Sequence, residues 1–266
     1  GLDNFCWPDP IQSEKTPDGK FKLAQLVRAN RELERICRAY RLPCVSGKDS
    51  MKNDYGKGVD KISIPPTLLF SLFGDHPDVR NTATSDFKNP GDKIYLVGES
   101  LEELGASEVS FMLREETSTN GIGGSVPSLD NPEKLFQSYR ALSSLINSGI
   151  VKTAHDCSEG GLGVTLAEMC IGGRIGANVD IDGTGNCSLW SRLWGESLGR
   201  IVVAVSPQHE STFLNGMSGS TVTYLGNVED SQSLNIIDGY EEIISVDVST
   251  MVDSWQGALD MTGGGV

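Results

Sequence analysis

The chain has 266 residues, of which 38% are hydrophobic and 22% are charged. This length exceeds the usual single domain of about 100 to 150 residues, and the apolar content excludes a disordered chain. The formal net charge of -14 argues against nucleic acid or a membrane surface as a partner. We therefore expect a globular protein with two cores.

The first part of the chain is predicted to contain one long helix and several short strands. Apolar residues recur at three- and four-residue spacings over 20–41, which indicates an amphipathic helix. Residues 44–46 are expected to form a short strand that leads into a polar turn at 47–50. The segment 61–73 is rich in β-forming residues, but the Pro65-Pro66 pair favours an edge strand or a bulge.

A polar stretch at 75–91 has no hydrophobic period and is predicted to hold the domain boundary, giving domains 1–86 and 87–266. Residues 115–129 are predicted to form an exposed loop. The remaining pattern alternates strands at 93–97, 151–154, 200–205, 221–228 and 233–237 with helices near 104–108, at 132–148, and after 161, 207 and 249.

Residues 47–50 form the first candidate site. Gly47 would allow close backbone approach, Lys48 could bind phosphate, and the carboxylate of Asp49 could hold Mg²⁺. The spacing of a P-loop is absent. A solvated polar turn without function is the alternative.

The second candidate site follows the strand predicted at 151–154. Asp156 could bind Mg²⁺, Ser158 could cap the next helix, and Gly160 and Gly161 would let a phosphate approach the helix N-H groups. A plain helix cap remains the alternative, and His155 receives no catalytic role. The third site, Glu196-Ser197, precedes a buried strand and is expected to face a cleft or to form an ordinary turn.

The six cysteines include no C-x-x-C pair, which argues against structural zinc. There is no signal peptide or long apolar run, so reduced thiols and a cytoplasmic location are expected. The chain begins without an initiator Met and is interpreted as part of a longer polypeptide.

Several segments together resemble, in order, the second half of the phosphoribosylformylglycinamidine synthase family, also called formylglycinamide ribonucleotide amidotransferase. They are LDNFCWPDP, CVSGKDSMKND, DKIYLVGE, LGASE, AHDCSEGGLGVTLAEM and WGESLGRIVVAV. The resemblance implies an α/β (α+β) fold like that of aminoimidazole ribonucleotide synthetase. Residues 1–86 would end an N-terminal-type domain, and 87–266 would form a complete C-terminal-type α/β sandwich domain.

The resemblance also implies an ATP-dependent ligase that converts formylglycinamide ribonucleotide and glutamine-derived ammonia to the amidine, with ADP and phosphate as products. The partners would be the remaining synthetase half and a glutaminase domain or subunit, because no glutaminase-like G-x-C-x-G motif is present. The family's upstream acidic Mg²⁺ ligands are missing, so an inactive fragment that keeps its fold is expected.

Residue by residue, the resemblance implies nucleotide contacts at Gly47 and Ser158 and a substrate contact at Ser50. Lys48 stands where short family members have a magnesium-binding Asn, and Asp156 matches a magnesium ligand. The pair Glu196-Ser197 matches a substrate-binding Glu-Ser-Gln of the family's first half. Leu198 replaces that Gln, which favours an auxiliary nucleotide site here.

Two other functions stay open. One is a structural half whose nucleotide is a permanent stabiliser. The other is a related ATP-dependent enzyme such as aminoimidazole ribonucleotide synthetase or selenophosphate synthetase, against which the GKDSMKN and WGES segments argue.

Overall fold

The structure is a computed structural model that describes residues 1–56, 60–113 and 124–258. It divides into two compact units, Gly1–Pro77 and Asp78–Val266. The division falls inside the polar stretch 75–91, ahead of the boundary predicted after residue 86. Most of the predicted loop 115–129 lies outside the described residues.

Unit 1, Gly1–Pro77, combines a small sheet with one long helix. Strand β1 lies in the middle of the sheet, parallel to β2 and antiparallel to β5. The short strands β3 and β4 form a separate antiparallel pair. The elements are β1 (Leu2–Cys6), α1 (Gly19–Ala39), β2 (Ser46–Ser50), β3 (Asp54–Tyr55), β4 (Ile62–Ser63) and β5 (Thr67–Ser71).

The predicted polar turn at 47–50 is wrong, because these residues belong to strand β2. Each of them is in register with a residue of β1, from Gly47 opposite Asp3 to Ser50 opposite Cys6. The segment carries no hydrophobic alternation, so its strand form depends on backbone pairing with a distant part of the chain. By contrast, the predicted interruption at Pro65-Pro66 is confirmed, since it separates β4 from β5.

Unit 2, Asp78–Val266, contains a seven-stranded mixed sheet of order β12-β11-β8-β10-β6-β9-β7, in which only β11 and β8 pair in parallel among the described strands. The strands are β6 (Lys93–Val97), β7 (Thr153–Asp156), β8 (Gly176–Asp180), β9 (Ile201–Val205), β10 (Val222–Glu229), β11 (Ser233–Asp238) and β12 (Glu241–Asp247). The helices are α2 (Glu108–Met112), α3 (Pro132–Asn147), α4 (Gly161–Gly173), α5 (Leu189–Trp194), α6 (Glu210–Gly216) and α7 (Val248–Gly257).

Both faces of the central strands are buried. On β6, Ile94 and Leu96 face a core that α4 and α7 help to form, while Tyr95 and Val97 face a second core with residues of α3 and α6. This alternation explains the continuous apolar run from Ile94 to Val97 in β6. Unit 2 is therefore a sheet with helices on both faces, and the predicted α/β class is confirmed.

The helices and strands predicted in unit 2 are present, with ends shifted by a few residues. Three elements were not predicted: β8, β12 and the short helix α5. No helix among the described residues is long and apolar enough to span a membrane.

Candidate functional site

A glycine turn joins β7 to α4 in unit 2 and forms the centre of the candidate site. Gly160 and Gly161 have positive φ angles of 78° and 63°. A Cβ atom on Gly161 would lie 2.5 Å from the carbonyl oxygen of Gly195. A side chain at this position would therefore be excluded by both the backbone conformation and the neighbouring chain.

Asp156 lies at the carboxyl end of β7, and its carboxylate is largely exposed. Its Oδ2 accepts a hydrogen bond from Ser158 Oγ, and its Oδ1 lies 3.4 Å from His155 Nδ1. The Ser158 hydroxyl, and to a smaller extent His155, hold the pKa of the Asp156 carboxyl below its usual value. His155 in turn contacts Glu168 of α4 at 3.0 Å, so Ser158, Asp156, His155 and Glu168 form one connected polar group.

The carboxylate of Glu196 connects this turn to a second segment. Its Oε1 accepts hydrogen bonds from the N-H of Gly160 at 3.0 Å and from the N-H of Glu108, the first residue of α2, at 2.9 Å. The N-H of Gly161 donates to the carbonyl of Ser158. The turn therefore binds an anionic group, and in this structure that group is a side chain of the protein itself.

Ser197 does not face a cleft in this structure, in contrast to the expectation from its place before a buried strand. It is 1% exposed, and its Oγ accepts the N-H of Leu101 at 3.1 Å. The sequence places it next to Glu196, but the two side chains bond to different segments of unit 2. The Ser197 side chain therefore holds the loop that contains Leu101.

Arg200 is a residue of this region that the sequence patterns did not reveal. It is 1% exposed, and desolvation lowers its pKa. Its guanidinium donates to Ser100 Oγ and to three carbonyl oxygens, those of Arg192, Gly195 and Ser197. It thus holds the segment that carries Glu196. In the sequence, the signal for this role was a charged residue immediately before an apolar strand.

The candidate residues of unit 1 lie on the edge strand β2. Lys48 and Ser50 are on one face, where Lys48 Nζ donates to Ser50 Oγ. Gly47 lies on the other face, and a Cβ there would be 2.5 Å from Asp3 Oδ1. Asp49 is exposed. Lys48, Ser50 and Asp49 form one polar strand, while Asp156, Ser158, Gly160 and Glu196 form a separate group in unit 2.

The described residues contain no group of three or more His, Cys, Asp or Glu side chains that could hold a metal ion. A Mg²⁺ bound together with phosphates needs only one or two protein carboxylates. The exposed carboxylate of Asp156 fits that requirement, because its Oδ2 accepts only the Ser158 hydroxyl among the described side chains.

Comparison with known proteins places the chain in a family. Residues 89–239, more than half of the chain, match the AIR synthase related protein, C-terminal domain. The chain belongs to this family. The match begins just before β6 and ends after β11, so it includes the glycine turn, Glu196 and Arg200.

The AIR synthase related chain is also similar to phosphoribosylformylglycinamidine synthase subunit PurL of Deinococcus radiodurans. The two are 31% identical over 260 residues, which cover 97% of this chain and 34% of the PurL subunit. The resemblance of the sequence motifs to this synthase family is thereby confirmed. The chain spans about a third of the length of that relative.

Two solved structures share the fold at 15% identity and cover 94% of the chain. T. maritima PurL complexed with ATP has a TM-score of 0.60, and T. maritima PurL complexed with FGAR has a TM-score of 0.63. The chain covers 37% and 39% of these two structures, respectively.

Proposed function

We propose that this chain is the C-terminal part of the synthetase region of a phosphoribosylformylglycinamidine synthase. The reaction would be the ATP-dependent conversion of formylglycinamide ribonucleotide and glutamine-derived ammonia to the amidine, with release of ADP and phosphate. The observation that carries this proposal is the 31% identity to PurL along 97% of the chain. The complexes of T. maritima PurL with ATP and with FGAR support the choice of ligands.

The glycine turn of unit 2 is the proposed nucleotide site. Gly160 and Gly161 keep the start of α4 free of side chains, and Glu196 demonstrates that the Gly160 N-H can bind an oxygen anion. A nucleotide phosphate would bind there in place of the Glu196 carboxylate. Asp156 would hold Mg²⁺ against the phosphates, and Ser158 would orient the Asp156 carboxylate.

The β2 residues are the proposed substrate contacts of unit 1. Lys48 would supply a positive charge, Ser50 a hydroxyl donor, and Gly47 a backbone contact for the nucleotide. Asp49 is a second proposed magnesium ligand. In the structure Lys48 and Ser50 are hydrogen bonded to each other, which holds both polar groups on one exposed face.

The proposal includes partners. The remaining synthetase half would complete the active site, and a glutaminase domain or subunit would supply ammonia in the cytoplasm. By itself the chain is expected to be inactive, because these contributions are absent from its 266 residues.

Calorimetric titration of this chain with ADP and with ATP in Mg²⁺ tests the nucleotide site. We expect binding that weakens at least about tenfold in Asp156→Ala, since a charged contact contributes about 1.5 to 3 kcal/mol. Asp253→Ala, which removes an exposed carboxylate from α7, is the matched control. Equal binding by Asp156→Ala and Asp253→Ala would contradict the proposed site. No binding by the folded wild-type chain would mean that the nucleotide site forms only with the remaining synthetase half.

Activity of the synthetase that contains this chain tests the substrate site. Ser50→Ala is expected to raise the KM for formylglycinamide ribonucleotide, because the variant lacks the proposed hydroxyl donor. Ser46→Ala on the same exposed face of β2 is the control. An unchanged KM in Ser50→Ala would remove this residue from the substrate site.

One observation favours the alternative of an auxiliary nucleotide that stabilises the fold. Glu196, the proposed substrate ligand, is already bonded to the backbone at Gly160 and Glu108. An auxiliary role predicts that bound ADP co-purifies with the protein and does not exchange during turnover. Exchange of radiolabelled ADP at the rate of turnover would instead assign the site to the reacting nucleotide.

A further inference from the structure

Two cysteines of unit 1 lie against each other near the start of β2. Cys37 is in the last turns of α1, and Cys44 is in the segment that enters β2. Their sulfur atoms are 3.7 Å apart. Cys44 is exposed and Cys37 is partly exposed, so both can meet solutes.

The surroundings of this pair indicate which of the two thiols reacts first. Both cysteines line a surface cleft of about 740 Å³, together with Arg38 and Arg41. Burial, followed by the contact with Cys44, raises the pKa of the Cys37 thiol. The exposed Cys44 is therefore the first of the two to be oxidised, and Cys37 is the second to react.

We propose that Cys37 and Cys44 form a reversible disulfide, a redox-modification site in unit 1. The sulfur atoms must approach from 3.7 Å to about 2.05 Å. Cys44 lies outside regular secondary structure, whereas Cys37 is fixed by the helix, so the Cys44 side makes this movement. Pairs that form under oxidising conditions inside cells are typically transient and redox-sensing.

The oxidant is hydrogen peroxide, and the disulfide forms in two steps. The Cys44 thiolate attacks one oxygen of hydrogen peroxide, breaks the O-O bond and becomes a sulfenic acid, with release of one water after proton transfer. The Cys37 sulfur then attacks the Cys44 sulfur, the S-O bond breaks, and a second water leaves. Two thiols are oxidised and one peroxide is reduced. A dithiol such as dithiothreitol reverses the bond.

The bond would connect the end of α1 to the segment just before Ser46, the first residue of β2. It would thus restrain the entry to the strand that carries Lys48 and Ser50. The inference depends only on the Cys37–Cys44 geometry, so it stands or falls separately from the proposed ligase function.

Mass spectrometry of the peroxide-treated chain tests the proposal. After alkylation in denaturant, the reduced wild type should carry six alkyl groups and the oxidised wild type two fewer. Trypsin should release the peptide Ile36–Arg38 linked to Leu42–Lys48, and dithiothreitol should separate them.

Cys37→Ser and Cys44→Ser should each abolish the linked peptide, and in Cys37→Ser the Cys44 sulfenic acid should be trapped by dimedone. Cys6→Ser, a partly exposed cysteine of β1 in the same unit, is the matched control and should retain the link. Six alkylated cysteines after peroxide, or Cys44 as a sulfinic acid beside a free Cys37 in the wild type, would overturn the proposal.

Discussion

The two units differ in how their sheets are covered. In unit 2, β6 and β9 carry buried side chains on both faces, supported by helices that contribute two hydrophobic cores. Among the described residues of unit 1, Phe5 and Trp7 are the only large hydrophobic side chains that are buried, while Phe21, Leu69 and Phe73 are more than half exposed.

This difference assigns stability and chemistry to different parts of the chain. A sheet buried on both faces gains free energy from every apolar side chain, whereas a sheet with an exposed face gains it from alternate residues. We therefore expect unit 2 to fix the geometry of the glycine turn rigidly. Unit 1 presents its candidate residues on an exposed edge strand.

The largest loss of unfolding free energy is expected for the variant Arg200→Met in unit 2. This variant leaves Ser100 Oγ and the carbonyls of Gly195 and Ser197 without their buried donor. Each unsatisfied buried group costs about 1 to 3 kcal/mol, so the loss in unfolding free energy should reach about 4 kcal/mol. Urea denaturation measures it, with the exposed Arg140→Met as a control that should change stability by less than about 0.5 kcal/mol.

A pair of leucines compares the two units directly. Leu166 in α4 is 0% exposed, and Leu69 in β5 is 59% exposed. Leu166→Ala should cost about 2 to 5 kcal/mol because it leaves a cavity. Leu69→Ala should cost less than about 1 kcal/mol. If urea denaturation gave comparable losses of unfolding free energy for the two variants, the two sheets would not differ in how deeply their side chains are buried.

Within unit 1, Trp7→Phe tests the small core. The ring contact with Phe5 is kept, but the hydrogen bond from Trp7 Nε1 to the Lys22 carbonyl, 2.9 Å long, is lost. We expect a loss of about 1 to 2 kcal/mol in the protection of β1 and α1 against hydrogen exchange. The half-exposed Trp190→Phe of unit 2 is the control and should leave that protection unchanged.

The smallest expected effect is a pH dependence of the stability of unit 2. The N-H of Ser188 and the hydroxyls of Ser191 and Ser188 bind the Glu102 carboxylate and lower its pKa. A lowered carboxyl pKa stabilises the fold above the ordinary Glu value near 4.3, and this contribution is lost as the pH falls through the folded pKa.

Glu102→Gln should therefore lower the melting temperature at pH 7 and have less effect near pH 3. Thermal unfolding across this range measures the difference. Glu99→Gln, an exposed neighbour, serves as the control and should show no such pH dependence. A Glu102→Gln effect that is equally large at both pH values would rule out the proposed linkage.

Much of the fold could be predicted from local patterns. Apolar periodicity predicted α1, α3 and the strands β6 and β9, because their apolar residues repeat at the spacing of a helix or of a fully covered strand. The glycine pair Gly160-Gly161 predicted the strand-turn-helix of the candidate site. Ordered motifs predicted the family, which the match to residues 89–239 confirms.

Strand β8 was missed because GANVD is short and has little apolar character of its own. Strand β2 was mistaken for a turn because Gly, Lys, Asp and Ser favour turns locally. Pairing with β1 overrides that preference, since it satisfies the backbone groups of β2 across more than forty residues of sequence.

The sequence by itself thus determined the α/β class, most helices and strands of unit 2, the glycine turn and the family. Only the tertiary structure decided that Glu196 binds the N-H groups of Gly160 and Glu108, that Ser197 is buried, and that Cys37 meets Cys44. The physical reason is the separation along the sequence between the residues that interact. Backbone conformation follows from neighbouring residues, whereas the partner of a carboxylate or a hydroxyl is set by how separate elements pack. Ser197 and its partner Leu101, for example, are 96 positions apart.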